Sequence, residues 1–192
     1  MPKVVDHEKL RGEVAEGAAQ LFLRRGYSAL GMREIAEQLG VSKSALYHYF
    51  PSKRALFDAA GRVAVARMAS AFIRPSGPEV GIDAAVSAIL IGVKALDANA
   101  RDEIALLIDY LRTVEGDAAA RRGIAEANAA LETSIAAIVG TAKASLVLSL
   151  CYGFLLQRVL AGESVDFARF ENELRELLRV SASPSRWATS PR

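Results

Sequence analysis

Residues 26–57 carry the sequence GYSALGMREIAEQLGVSKSALYHYFPSKRALF, in which two short helical patterns are joined by a tight turn. The first pattern, MREIAEQL at 32–39, places its apolar residues on one face, and Gly40 after it permits the turn. The second pattern begins at Ser42, whose hydroxyl can cap a helix, and stops before Pro51, which opposes further helix. The two helices and their turn, at about 31–50, therefore have the size of a helix-turn-helix motif.

The second helix of this motif has two different faces. At 100° per residue, Leu46 and Phe50 lie together on one side, and we expect them to pack inward. Ser44, Tyr47 and His48 spread over the opposite side. Such a face suits a reader of the DNA major groove, because it offers hydrogen-bond donors to base edges and aromatic rings to thymine methyl groups. The alternative is that the YHY side chains are ordinary packing residues of a small helical head.

The composition favours an all-α protein. The chain has 192 residues, of which 52% are apolar, so it can bury a sizeable core. Ala, Leu, Arg and Glu are abundant and there are only six prolines. A single cysteine, Cys151, and two histidines, His7 and His48, argue against a disulfide or a zinc site, and we expect no metal and no cofactor. Cys151 lies in an apolar stretch and is expected to be an inert buried thiol rather than a redox sensor.

The charge distribution singles out the N-terminal part of the chain. The net charge is +2, and residues 1–58 hold nine Lys or Arg against seven Asp or Glu, while the remainder is balanced. Residues 42–54 contain Lys43, Lys53 and Arg54 but no acidic residue, which suits a surface that faces phosphates. A non-specific architectural DNA binder would need a far more basic chain.

The apolar stretches are too short for a targeting or membrane segment. The N-terminus has no apolar core of signal-peptide length, and the longest charge-free apolar run, between Lys143 and Arg158, is shorter than a membrane span. We therefore expect a cytoplasmic protein without a membrane partner.

Helical periodicity predicts about nine helices. A first helix at about 6–25 ends at Gly26, and a fourth at 53 to about 73 is capped by Ser52. A loop at 74–81 separates these from five further helices, predicted at 82–96, 101–114, 118–139, 142–161 and 166–180. The predicted organisation is a three-helix head at 6–58, a helical body at 59–180 and a disordered tail at 181–192, which is rich in Ser and Pro.

The stretch quoted above closely resembles the DNA-binding head of the TetR family of bacterial transcriptional regulators, and the match runs roughly from Leu10 to Asp58. Two positions depart from the family pattern: Gly31 stands where Thr or Ser commonly caps the second helix, and Ser44 stands where many relatives have glycine. The resemblance implies that Lys53 holds a phosphate and that Arg33 is a further DNA contact. It also implies that a run of residues in the second motif helix contacts the operator: Ser42, Lys43, Ser44, Tyr47, His48 and Tyr49.

For the body, the resemblance implies a homodimer that responds to a small-molecule effector. The helices at 142–161 and 166–180 would pair with their mates in a second subunit, and the alternative is a monomeric core. A ligand cavity would lie among the middle helices, at 82–139 with part of the eighth. Five polar side chains are candidates for its wall: Asp109, Tyr110, Arg112, Asn128 and Gln157.

These expectations describe a sequence-specific, ligand-responsive repressor, with activation as the other regulatory sign. Two other classes of protein are alternatives. A small helical enzyme is disfavoured because the chain has no P-loop, no dinucleotide-binding glycine motif and no nucleophile motif, so we expect no catalytic residues. A helical adaptor that uses the head for protein contacts would be expected to lose basic residues that are present here.

Overall fold

The computed structural model describes residues 7–76 and 81–179, and within these ranges the regular structure is entirely helical. A 3₁₀ turn, Gly162–Ser164, precedes the last helix. The α-helices are α1 His7–Arg25, α2 Met32–Gln38, α3 Lys43–Tyr49, α4 Lys53–Ser70, α5 Ile82–Asp97, α6 Ala100–Thr113, α7 Ala118–Val139, α8 Thr141–Ala161 and α9 Phe167–Arg179. The all-α prediction is confirmed, and the helices predicted at 82–180 agree with the observed ones to within one residue at each described end. The predicted tail at 181–192 and residues 77–80 of the predicted loop lie outside the described residues.

The end of α1 and the starts of α3 and α4 follow local chemistry. Gly26 ends α1 with φ of +81°, a left-handed conformation that glycine adopts without steric cost. Ser42 and Ser52 cap α3 and α4 as predicted, because each hydroxyl accepts a hydrogen bond from a backbone N–H three residues later, at 3.1 and 3.0 Å. Gly31 precedes α2 and supplies no side-chain cap. In the helix-turn-helix, the N-terminus of α3 therefore has a side-chain cap, whereas the N-terminus of α2 has none.

The fourth helix is shorter than its sequence predicts. The apolar pattern runs to about Ile73, but α4 ends at Ser70 and the chain turns so that Phe72 enters the core of the body. The ring of Phe72 lies against Gly92, where a Cβ atom would come within 2.5 Å of it. Ile73 is left 69% exposed. Burial of one aromatic ring therefore decides where this helix ends, which periodicity cannot reveal.

Two hydrophobic clusters organise the chain. The first is built by α1 to α4, with Tyr110 of α6 and Ala120 of α7 added from the body. Its fully buried side chains include Phe22, Ile35, Leu46 and Leu56. The second is built by α5, α7, α8 and α9, with Phe72 and with Ala100 of α6, and its fully buried side chains include Ile89, Ile135, Val147 and Leu174. The head is thus not sealed by its own helices, since two residues of the body complete its core.

Helix α8 has one buried and one exposed apolar face. Residues 141–164 are long and apolar enough, by length and composition alone, to cross a membrane, with a mean hydropathy of 1.6. The inner face packs into the second cluster and includes Cys151, and burial raises the pKa of this thiol to about 12. The exposed face carries four large apolar side chains, Leu146, Tyr152, Leu156 and Leu160. Helix α8 therefore has one face in the core of the body and a second apolar face that is available for contact.

Helix α9 directs its apolar residues into its own subunit. Phe170, Leu174 and Leu178 are buried in the second cluster. The outward side is charged, and Arg169 and Glu173 form an ion pair at 2.8 Å there. Of the two helices predicted to form a dimer, α8 therefore supplies the exposed apolar surface and α9 supplies charged side chains.

Candidate DNA interface

The short helix α3 separates its side chains as the sequence predicts. Leu46 and Phe50 are buried in the first cluster and fix the helix to the head. Ser44 and His48 are exposed, and Tyr47 is 42% exposed although it is a large aromatic residue. One face of α3 is thus an anchor, and the other is open to a partner as large as a DNA groove.

The exposed face of α3 is basic and aromatic. The Lys43 ammonium lies 5.8 Å from the ring centroid of Tyr47, so both side chains belong to the same patch. Arg33 is exposed at the start of α2, which packs against α3. Ser42 and Ser44 lie at the N-terminal end, with their hydroxyl oxygens 3.1 Å apart. Since no acidic residue occurs between positions 38 and 57, α3 itself carries no charge that would repel phosphates.

Tyr49 lies between the exposed face of α3 and the first hydrophobic cluster. Its side chain is half-buried against the first cluster, and its hydroxyl oxygen is 2.6 Å from Nδ1 of His7. The His48 ring packs edge-on against the Tyr49 ring, with centroids 5.2 Å apart. His7 comes from the first turn of α1 and was not predicted as a site residue, because 42 positions of sequence separate it from Tyr49. Only the packing of α1 on the head brings the two together.

Lys53 has a different partner from the one the resemblance implies. Its ammonium group donates hydrogen bonds to the backbone carbonyls of Tyr27 and Leu30, at 3.1 and 3.0 Å. The same group lies 4.3 Å from the centroid of the Tyr27 ring. Lys53 therefore ties the start of α4 to the loop before α2. These two bonds use two of the three ammonium hydrogens, so one hydrogen remains for the predicted contact with a phosphate.

Asp109 joins α6 to the head. Its carboxylate accepts hydrogen bonds from the backbone N–H and the hydroxyl of Ser28, at 2.8 and 2.7 Å. These bonds, the hydroxyl's first, lower the pKa of Asp109 because they favour the charged form. A Cβ atom at Gly26 would come within 3.2 Å of the same carboxylate. One side chain of the body, Asp109, therefore binds the loop between α1 and α2 directly.

Tyr110 completes this joint with an aromatic cluster. Its ring stacks on Phe57 with centroids 4.1 Å apart and meets Tyr27 edge-on at 5.1 Å. Its hydroxyl donates to Asp58 at 3.3 Å, and burial, first among the causes, raises its pKa to about 12. A further ion pair links Arg54 of α4 to the carboxylate that caps α7. The head and α6 are therefore joined by polar, ionic and aromatic contacts.

The five predicted ligand contacts do not share one cavity. Asp109 and Tyr110 contact residues of the head. Arg112 is exposed beside an open cleft of about 330 Å³ at the α6–α7 connection, and Gln157 lines a cleft of about 170 Å³ between α8 and α9. Asn128 is half-buried on α7. Within the described ranges, no group of three or more His, Cys, Asp or Glu is arranged to hold a metal ion.

Comparison with known proteins places this architecture in a family. The sequence profile of bacterial regulatory proteins of the tetR family matches residues 15–60. The HTH-type transcriptional repressor Rv1474c of Mycobacterium tuberculosis is 32% identical over 136 residues, which are 68% of this chain and 66% of that protein. The chain belongs to the TetR family. The matched TetR segment contains all of the predicted DNA contacts, from Arg33 to Lys53, but it begins after His7.

Solved structures of other proteins share this fold beyond the head. The regulator SCO7518 of Streptomyces coelicolor superposes with a TM-score of 0.73 at 19% identity, over 88% of this chain and 98% of that one. The multidrug binding protein EbrR, solved in complex with imidazole, superposes with a TM-score of 0.68 at 21% identity, over 91% of this chain and 93% of that one. Two further curated relatives match over only about a quarter of their own length. The fold is therefore shared along most of the chain, whereas the sequence similarity to these two curated relatives is confined to about 50 residues.

Proposed function

We propose that this TetR-family protein is a sequence-specific, DNA-binding transcriptional regulator that works as a cytoplasmic homodimer. The proposal assigns DNA binding to a head at 6–58 and effector sensing and dimerisation to a body at 59–180. The observation that carries it is the two-sided α3, in which Leu46 anchors the helix while Tyr47 and its polar neighbours face outward. The relatives found are named regulators rather than enzymes, which agrees with a role without catalysis.

In the proposed complex, α3 of each head lies in the major groove. Ser44, Tyr47 and His48 contact base edges, while Lys43 and Arg33 bind phosphates on either side. Two heads related by a two-fold axis would contact half-sites about 34–36 Å apart, or a multiple of that distance. The operator is then a palindrome, because the symmetry of the dimer is repeated in its DNA.

The dimer is proposed to form through the helices at 142–161 and 166–180, with α8 at its centre. The exposed apolar face of α8 gives a continuous surface that a second copy would cover. The outward charges of α9 have both signs, so they can pair across a two-fold axis at the polar rim. Burial of the α8 face therefore provides the association energy and α9 the charged border.

The body is proposed to sense a small molecule and to release the head from DNA. EbrR, a structural neighbour, is named for binding multiple drugs, which supports a sensing role for a body of this shape. Asp109 and Tyr110 bond α6 to the head, so a ligand that displaces α6 would also displace α3 relative to its mate. The protein is a repressor if the two heads of the ligand-free dimer are separated by the distance between the operator half-sites.

The first test is selection of duplexes from a random library with the purified protein. A palindromic winner, preferred over a random duplex by at least about a thousandfold, is expected for a specific dimer. Tyr47→Ala should then weaken binding to the winner by about 1–3 kcal/mol, because a base contact is lost while the buried face of α3 is untouched. Ile73→Ala, at an exposed apolar residue outside the head, is the matched control and should bind as the parent does.

The proposal fails if no duplex is enriched. The assignment of α3 alone fails if Tyr47→Ala, with an unchanged unfolding transition, binds the winner as tightly as the parent.

A further inference from the structure

The two histidines of the chain lie together at the C-terminal end of α3. His7 is on α1 and His48 is on α3, and their ring centroids are 6.4 Å apart. Tyr49 lies beside both, with ring centroids 5.9 Å from His7 and 5.2 Å from His48. His7 and His48 are exposed. The cluster therefore borders the surface assigned above to DNA, although His7 precedes the segment that the family profile matches.

The direction of the hydrogen bond between His7 and Tyr49 depends on whether the His7 ring is protonated. The His7 Nδ1 and the Tyr49 hydroxyl oxygen are 2.6 Å apart, which is a short hydrogen bond. A neutral imidazole nitrogen is a better acceptor than a phenol oxygen, so the hydroxyl hydrogen is directed to His7 and is not offered to solvent. A protonated imidazole has N–H groups at both nitrogens, so it donates to the phenol oxygen instead. The hydroxyl hydrogen is then released and can be donated to another acceptor, such as a phosphate oxygen.

Several charged and aromatic groups lie near His7 in space or in sequence. On α3 its neighbours are His48 and Tyr49, and the Arg11 guanidinium of α1 lies 5.5 Å from the ring centroid of Phe50. Asp6, Glu8 and Lys9 adjoin His7 in the sequence. At the start of α4, Lys53 and Arg54 are turned to backbone carbonyls and to the carboxylates of α4 and α7. Phosphates brought by DNA would be the strongest negative charges in this place and would favour the protonated form.

We propose that His7 belongs to the DNA interface as a proton-dependent positioning residue, which directs the Tyr49 hydroxyl to an operator phosphate when its ring is protonated. The inference rests on the DNA-binding function proposed above. Operator binding therefore tightens as pH falls through the range in which histidine titrates, about pH 8 to 5.

The salt dependence of binding gives a second, independent measure. Each cationic group that neutralises a phosphate of duplex DNA adds about 0.9 to the slope of log K against log salt. One His7 in each of two heads should make the steepening of the slope from high to low pH larger by about 2 in the parent than in His7→Gln. If the role of His7 were purely structural, the slope would change with pH by the same amount in the parent and in His7→Gln.

The test uses the full chain and the duplex selected from the random library, with affinity measured at several salt concentrations near pH 5.5 and near pH 8. His7→Gln keeps a hydrogen-bonding side chain that cannot titrate, and Tyr49→Phe keeps the ring without the hydroxyl. Ile73→Ala, at an exposed residue outside the head, is the control for unchanged binding. His48→Gln, which should bind more weakly at both pH values, shows whether the pH dependence survives loss of the other histidine while the His7–Tyr49 contact is kept. Thermal unfolding of every variant at both pH values reports whether the fold is retained.

The parent is expected to bind roughly tenfold more tightly near pH 5.5 than near pH 8, with the steeper salt slope. His7→Gln and Tyr49→Phe should each lose most of this gain, and the double variant should lose no more than either single one, because both act through one contact. His48→Gln should retain the His7-dependent part. The inference is overturned if His7→Gln keeps the pH dependence of the parent, or if Tyr49→Phe keeps it while His7→Gln loses it. If the parent binds no duplex specifically at either pH, the proposed function fails instead.

Discussion

The joint between α6 and the head makes a quantitative prediction for Asp109→Ala. The substitution removes the acceptor of two hydrogen bonds from Ser28, one from its backbone N–H at 2.8 Å and one from its hydroxyl at 2.7 Å. Hydrogen bonds to a charged group contribute about 1.5–3 kcal/mol each when they are well shielded. Asp109 is only half-buried, so water replaces part of what is lost and the discounted total is about 1–2 kcal/mol of unfolding free energy.

The pH dependence of this loss has a defined sign. The pKa of Asp109 is lowered in the folded protein, so the carboxylate stabilises the fold above its unfolded pKa of about 3.9. The stabilisation disappears as pH falls through the lower, folded value. The difference between parent and Asp109→Ala should therefore be complete near pH 7 and should vanish in strong acid.

The assay is chemical denaturation at one protein concentration, because the stability of a dimer depends on concentration. A double-mutant cycle with Ser28→Ala isolates the hydroxyl bond, and its coupling energy should be about 0.5–1.5 kcal/mol. Arg112→Ala, at an exposed residue on the same helix, should change the unfolding free energy by less than about 0.5 kcal/mol. Equal stability of parent and Asp109→Ala near pH 7, or a difference that persists undiminished in strong acid, would refute this account of the joint.

Two further substitutions test the body. Gly92→Ala should lower the unfolding free energy by about 1–3 kcal/mol, because its Cβ would lie 2.5 Å from the ring of Phe72, whereas Gly61→Ala, with open space around it, should be neutral or stabilising in the same denaturation experiment. An unchanged Gly92→Ala protein would contradict the packing described for the end of α4. Leu156→Glu should convert the dimer to a monomer in analytical ultracentrifugation, because each subunit would bring one charge into the apolar contact of the α8 faces. Ile73→Glu, at an exposed apolar residue outside α8, should leave the dimer intact. A Leu156→Glu dimer of unchanged affinity would place the subunit contact elsewhere.

Sequence periodicity predicted those features of the fold that local chemistry decides. The inward side of α3 follows from the spacing of Leu46 and Phe50, and the ends of α1, α7 and α8 are marked by glycines with positive φ, such as Gly26. The end of α4 was predicted wrongly because a tertiary contact sets it. Phe72 continues the apolar pattern of the helix, and nothing near it in sequence indicates that Gly92 leaves room for its ring.

The candidate site was predictable in part for the same reason. The exposed residues of α3 lie within one motif, so one helical wheel relates them. Asp109 was considered for a ligand pocket because it is polar and lies in a middle helix, but its partner Ser28 is 81 positions away. His7 gave no signal at all, since a lone histidine in a first helical turn resembles any solvated side chain. In each case the missing information was a contact between distant segments.

Tyr110 and Ala120 belong to the body by their position in the chain and to the head by their packing. A chimera made by exchanging heads between two regulators would carry its recognition helix intact, yet the rings of Tyr27 and Phe57 would lose the surface that covers them. Such an exchange would succeed only where the recipient body offers an aromatic residue on α6 and a small residue at the start of α7. A designer of hybrid regulators should therefore transfer these two positions together with the head.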